Sequence, residues 1–157
     1  MIAHEELMRL AIEKAREGIA RGQSPFGCAI AVGDDVIAIA HNTVLQTVDI
    51  TAHAEIVALR ETCRRLGNIF VEQAAVACTC EPCPMCMTAL HWARVEAVSF
   101  GATIDAAGRA GFNELSLPAA EVCRLGRSNI RLIPGVLADE CRQLLNEWRS
   151  RPESRAY

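Results

Sequence analysis

The chain has 157 residues, enough for one domain with a sizeable core, and 51% of them are hydrophobic, which excludes a disordered polymer. Its formal net charge is −3 and no basic run stands out, so no electrostatic footprint for a polyanion exists and nucleic acid is not the expected partner. No stretch of about 18 apolar residues marks a membrane span, and the polar start Met1-Ile2-Ala3-His4-Glu5-Glu6 does not read as a signal peptide.

Leu7, Met8, Ala11, Ile12, Ala15 and Ile19 recur at helical spacing, predicting an amphipathic first helix that ends near Gly18 to Gly22. Ser24-Pro25-Phe26-Gly27 reads as a turn. Cys28 to Val32 and Val36 to Ala40 form a hairpin across Gly33-Asp34-Asp35, with both strands apolar on both faces. His41 to Asp49 is a loop. The next helix is capped at Thr51 or a neighbour, carries His53 and Glu55, and stops at Gly67. Ala74 to Thr79 is a buried strand, a helix runs from Cys83 to about Ala93, and Val95 to Phe100 is a strand. That order predicts parallel neighbours. Gly101 to Leu117 reads as loop-rich and too long for a mere connector, a lid or a substrate loop whose Gly108 and Gly111 permit closure. Asn129 to Ile133 is a last strand and Ala138 to Trp148 a last helix. Residues 149–157 are a polar tail on a single domain spanning 1–157.

The chemistry concentrates in two short stretches, His53-Ala54-Glu55 and Pro82-Cys83-Pro84-Met85-Cys86. Cysteines three apart at a helix start aim both sulfurs past its positive end, where thiolate is favoured. His53 supplies a third ligand. Three protein ligands leave the fourth zinc position open, the catalytic pattern. A fourth ligand from Cys78 or Cys80 would instead make a closed structural site. Glu55 stands beside the open position as the proton carrier. The pair H-x-E and P-C-x-x-C is the zinc deaminase signature. Eight cysteines without a secretion signal point to a reducing, cytoplasmic setting. Cys28, Cys63, Cys123 and Cys141 read as small buried hydrophobes, and His4 and His41 as surface or loop residues.

The runs Thr51 to Arg60 and Cys80 to Cys86 resemble the cytidine deaminase superfamily, most closely its branch of guanine deaminases and tRNA adenosine deaminases. The resemblance implies a three-layer α/β/α fold around a five-stranded mixed sheet, one Zn²⁺ per chain and a homodimer. It implies Asn42, Phe26 and Ala54 as substrate contacts. His91-Trp92-Ala93-Arg94, Ala110-Gly111-Phe112-Asn113-Glu114 and the final Tyr157 are similar to guanine deaminases, with Glu114 as second acid and Trp92 and Tyr157 at the substrate. Gly135 to Cys141 resembles tRNA adenosine deaminases, and Asn113 departs from the guanine-type loop, which carries an acid there. The implied reaction is hydrolytic deamination of a small aminated base, with guanine favoured and tRNA adenosine, cytosine or adenine as alternatives.

Overall fold

The computed structural model describes residues 2–157. Its centre is a five-stranded sheet in the order β2-β1-β3-β4-β5. The strands are β1 (Gly27–Val32), β2 (Asp35–His41), β3 (Ala74–Cys80), β4 (Ala97–Ala102) and β5 (Arg131–Pro134). β1 runs antiparallel to both β2 and β3, whereas β3, β4 and β5 are parallel. The mixed sheet and its two helical layers match the expected fold.

Side chains alternate faces along each strand. Ala29 and Ala31 of β1, with Ala75 and Ala77 of β3, face α1 (His4–Ala20) and α7 (Ala138–Arg149). Cys28, Ile30, Val76 and Cys78 face the opposite layer, made of α3 (Ala54–Leu66), α4 (Pro84–Trp92) and α6 (Ala119–Gly126). Small residues let α1 approach closely. A Cβ on Gly27 would sit 2.1 Å from the Ala11 carbonyl oxygen, so only glycine fits there.

The topology brings five chain segments to one edge of the sheet. Cys28 pairs with Cys78 across β1 and β3, and Gly27 pairs with His41 across β1 and β2. The start of β1, the end of β2 and the end of β3 therefore lie side by side, placing Phe26, Asn42 and the Glu81–Cys86 turn together. The N-termini of α3 and α4 open onto the same edge.

Several expectations are corrected. Gly101 to Leu117 is not all loop: Thr103 caps α5 (Ile104–Arg109) by accepting from the Ala106 amide. Gly108 lies inside α5, so only Gly111, at φ 111°, supplies a glycine-type turn. The His41–Asp49 stretch holds the one-turn α2 (Val44–Thr47). His53 itself, not Thr51, is the residue preceding α3. His41 is buried because it ends β2 against Gly18, and its Nδ1 lies 2.8 Å from the Asn42 carbonyl oxygen. β2 is an edge strand and is partly exposed, so it is not apolar-covered on both faces. Cys63 and Cys123 are half-buried, whereas Cys28 and Cys141 are fully buried as expected.

Candidate active site

Each half of the motif sits at a helix start. His53 takes the extended conformation (φ −62°, ψ 154°) just before α3, and Cys83 does the same before α4 (φ −65°, ψ 167°). Pro84 follows at the first helical position, where its missing N–H costs nothing. Cys86 is then one turn in and fully buried. His53 Nδ1 lies 3.7 Å from Cys83 Sγ and 3.6 Å from Cys86 Sγ. All three ligand atoms lie within 4.8 Å of one another.

These spacings test the metal directly. Bonds of about 2.0 Å to nitrogen and about 2.3 Å to sulfur, at tetrahedral angles, separate N from S by roughly 3.5 Å. The donor set fits zinc, and each chain binds one Zn²⁺ here. No fourth histidine, cysteine or carboxylate joins the cluster among the described residues. Cys78 is buried in the core under the sheet, and Cys80 donates to the Thr103 carbonyl at 3.5 Å. The arrangement is therefore open on one side rather than closed. The hydrogen bond between the two thiols, and after it His53, holds Cys83 below the ordinary thiol range, while the same contact and burial push Cys86 up.

Glu55 stands in the first turn of α3 and is buried. Burial pushes its carboxyl up to about 7, against the opposing pull of His53. It lines a small inner cavity of about 20 Å³ together with Phe26, Asn42, His53, Cys83 and Glu114. That volume admits a single water molecule. An outer hollow of about 280 Å³ adjoins it, walled by Ile50, Pro84, Leu115 and Tyr157.

The structure brings most of the other expected residues to this place. Asn42 is fully buried; its Oδ1 accepts from the Val44 amide at 3.0 Å, and its Nδ2 donates to the Tyr157 hydroxyl at 2.5 Å. Burial holds that hydroxyl protonated, well above the ordinary tyrosine range. The Tyr157 ring lies 6.0 Å from His53 and 5.5 Å from Phe112, and the Asn113 amide donates to the Tyr157 carbonyl at 2.9 Å. Phe26 meets Phe112 edge-on at 4.9 Å. Glu114 is half-buried, and burial raises its carboxyl, with the Cys83 charge adding to the effect. Ala54 is fully buried between His53 and Glu55 and packs in the core.

Ala54 lines neither hollow, and Trp92 departs furthest from the expectation. It ends α4, is 72% exposed and lines neither hollow. α4 begins at the site and runs away from it, carrying its last residue about 12 Å along the axis at 1.5 Å per residue.

Sequence reasoning passed over Glu81 and weighed Cys80 only as a fourth metal ligand, yet both line the inner cavity. The available signal was a carboxylate ending an apolar strand directly before Pro82-Cys83.

Comparison with known proteins follows the same lines. The sequence model for the cytidine and deoxycytidylate deaminase zinc-binding region matches residues 1–102. Guanine deaminase of Bacillus subtilis (strain 168) is 38% identical over 125 residues, covering 75% of this chain and 80% of its own. The tRNA-specific adenosine deaminase of the same strain is 34% identical over 148 residues, covering 94% of this chain and 89% of its own. The structure of guanine deaminase from Nitrosomonas europaea superposes with a TM-score of 0.87 at 28% identity, over 96% of this chain and 87% of that one.

Proposed function

The chain belongs to the cytidine and deoxycytidylate deaminase zinc-binding family, and on that premise we propose that it hydrolyses guanine to xanthine and ammonia. The observation that carries the free-base reading is enclosure. Tyr157 walls the outer hollow and is bonded to Asn42 of the inner cavity, and Glu114 lines both. The outer hollow of about 280 Å³, bounded by Glu114 and Tyr157, has room for a single flat base beside the water-sized inner cavity, whereas a polynucleotide would have to displace those side chains. The net charge of −3 also fits a small neutral base better than a polyanion.

Zinc on His53, Cys83 and Cys86 would supply the Lewis acid that makes water nucleophilic near neutral pH. Glu55 takes the proton from the attacking water and delivers it to the ring nitrogen beside the attacked carbon. A buried carboxyl tuned toward neutrality suits both halves of that transfer. Glu114 then relays a proton to the departing amine, so that the leaving group is ammonia. Asn42, whose Oδ1 is held by the Val44 amide, offers its Nδ2 donor to the base edge. Phe26 packs against the base, with Ala54 at the α3 start and Tyr157 closing the site.

The protein is proposed to act as a cytoplasmic homodimer. None of the eight cysteines is paired in a disulfide, which fits a reducing compartment. Ile50 (62% exposed), Leu115 (66%) and Trp92 (72%) offer apolar surface for a second copy. No helix among the described residues is long and apolar enough to cross a membrane.

The test is ammonia release from guanine, adenine, cytosine, their nucleosides and a tRNA anticodon stem-loop. Release from guanine is expected. The 34% identity to a tRNA-specific adenosine deaminase makes adenosine in the stem-loop the second reading, and turnover of that substrate alone would replace guanine with it.

A further inference from the structure

Glu81 is a carboxylate with no place in the chemistry described so far, yet it is buried to 9% exposure at the wall of the inner cavity. It follows β3 directly and stands two residues before the ligand Cys83. Its own amide donates to the Ala102 carbonyl at 2.8 Å, which extends the β3–β4 pairing by one step. Its two carboxylate oxygens take separate partners. Oε2 accepts from the Ile104 amide at 3.0 Å, and Oε1 accepts from the Ala119 amide at 2.8 Å. Ile104 opens α5 and Ala119 opens α6. α6 has no side chain of its own to accept at its start, because Pro118 precedes it. Glu81 therefore grips both ends of the segment that carries Phe112, Asn113 and Glu114.

We infer that Glu81 is a positioning residue that fixes the Glu114 segment against the Cys83–Cys86 turn and sets the reach of Glu114 to the substrate. This inference rests on the role given to Glu114 under Proposed function. One side chain is bonded on each side of the 105–118 segment while its backbone continues into the metal-ligand turn. The segment's interior is held otherwise by Phe112, whose ring packs 4.9 Å from both Phe26 and Trp148. Phe112 fixes depth, and Glu81 fixes the two ends.

The test is Glu81→Gln in the full-length, zinc-loaded protein. The substitution keeps size and shape but turns one acceptor into a donor facing an N–H. Amide exchange at Ile104 or Ala119 is expected to rise about tenfold, the scale of a lost hydrogen bond to a charged group. Zinc content stays near one per chain. Turnover of guanine falls roughly 10²-fold through kcat with little change in KM, as expected when a catalytic group is misplaced by about 1 Å. The double variant with Glu114→Ala is expected to be no slower than Glu114→Ala alone. Full additivity of the two losses, or unchanged kcat in Glu81→Gln, overturns the inference. Loss of zinc overturns it as well, because Glu81 would then serve the metal turn rather than Glu114. If the wild-type protein releases no ammonia from guanine, Proposed function fails separately. The exchange measurement and the same cycle on whichever base is deaminated still decide Glu81.

Discussion

Replacing Tyr157 with phenylalanine removes one oxygen atom and gives a clean reading of how the site is closed. The Tyr157 hydroxyl is the acceptor for Asn42 Nδ2 at 2.5 Å, while Asn42 Oδ1 is already engaged with the Val44 amide. Asn42 is fully buried, so Tyr157→Phe leaves its Nδ2 without that acceptor. An unsatisfied buried donor costs about 1–3 kcal/mol. At roughly 2–4 °C per kcal/mol for a chain of this size, Tm should fall by about 2–12 °C in a thermal melt. Guanine offers acceptors that replace the lost oxygen, so saturating base should stabilise the variant more than the wild type. The reasoning fails if Tm is unchanged, because the contact then carries no energy in solution. It fails equally if base stabilises both proteins alike, because Asn42 would not be reading the base.

Three further outcomes are expected. Glu55→Gln keeps zinc by metal analysis but loses at least ~10²-fold in kcat, the lower end of a general acid–base contribution. Cys83→Ala or Cys86→Ala binds less than one zinc per chain in dialysed, well-folded protein, because two donors no longer complete the site. Gly27→Ala forces a Cβ against the Ala11 carbonyl oxygen, separates α1 from β1, and lowers stability in urea melts by about 1–3 kcal/mol or more.

The metal site was legible because each half of it is local. Two residue types at fixed spacing beside a helix start define where their side chains point, and His53, Cys83 and Cys86 needed only the fold to bring two such starts together. The strands were legible from apolar runs, with boundaries shifted by one to two residues. The segment after β4 was harder. α5 is six residues and α6 eight, too short for periodicity to stand out. The acceptor at the start of α6 comes from Glu81, far away in sequence. Burial of His41 depends on the absence of a side chain at Gly18, a contact between elements that local pattern does not contain. Trp92 failed for a geometric reason: a motif names the helix that begins at the site but says nothing of how far its last turn has travelled.

The central claim is that this enclosed site takes a free base, and the most direct test is the ratio of kcat/KM for guanine to that for guanosine. The two substrates share the reacting ring and differ by one ribose. Guanine should be deaminated to xanthine, with guanosine disfavoured on the order of 10³-fold or more, because the sugar clashes with the cover formed by Glu114 and Tyr157. Comparable turnover of guanosine, or deamination of tRNA adenosine with none of guanine, would contradict the account.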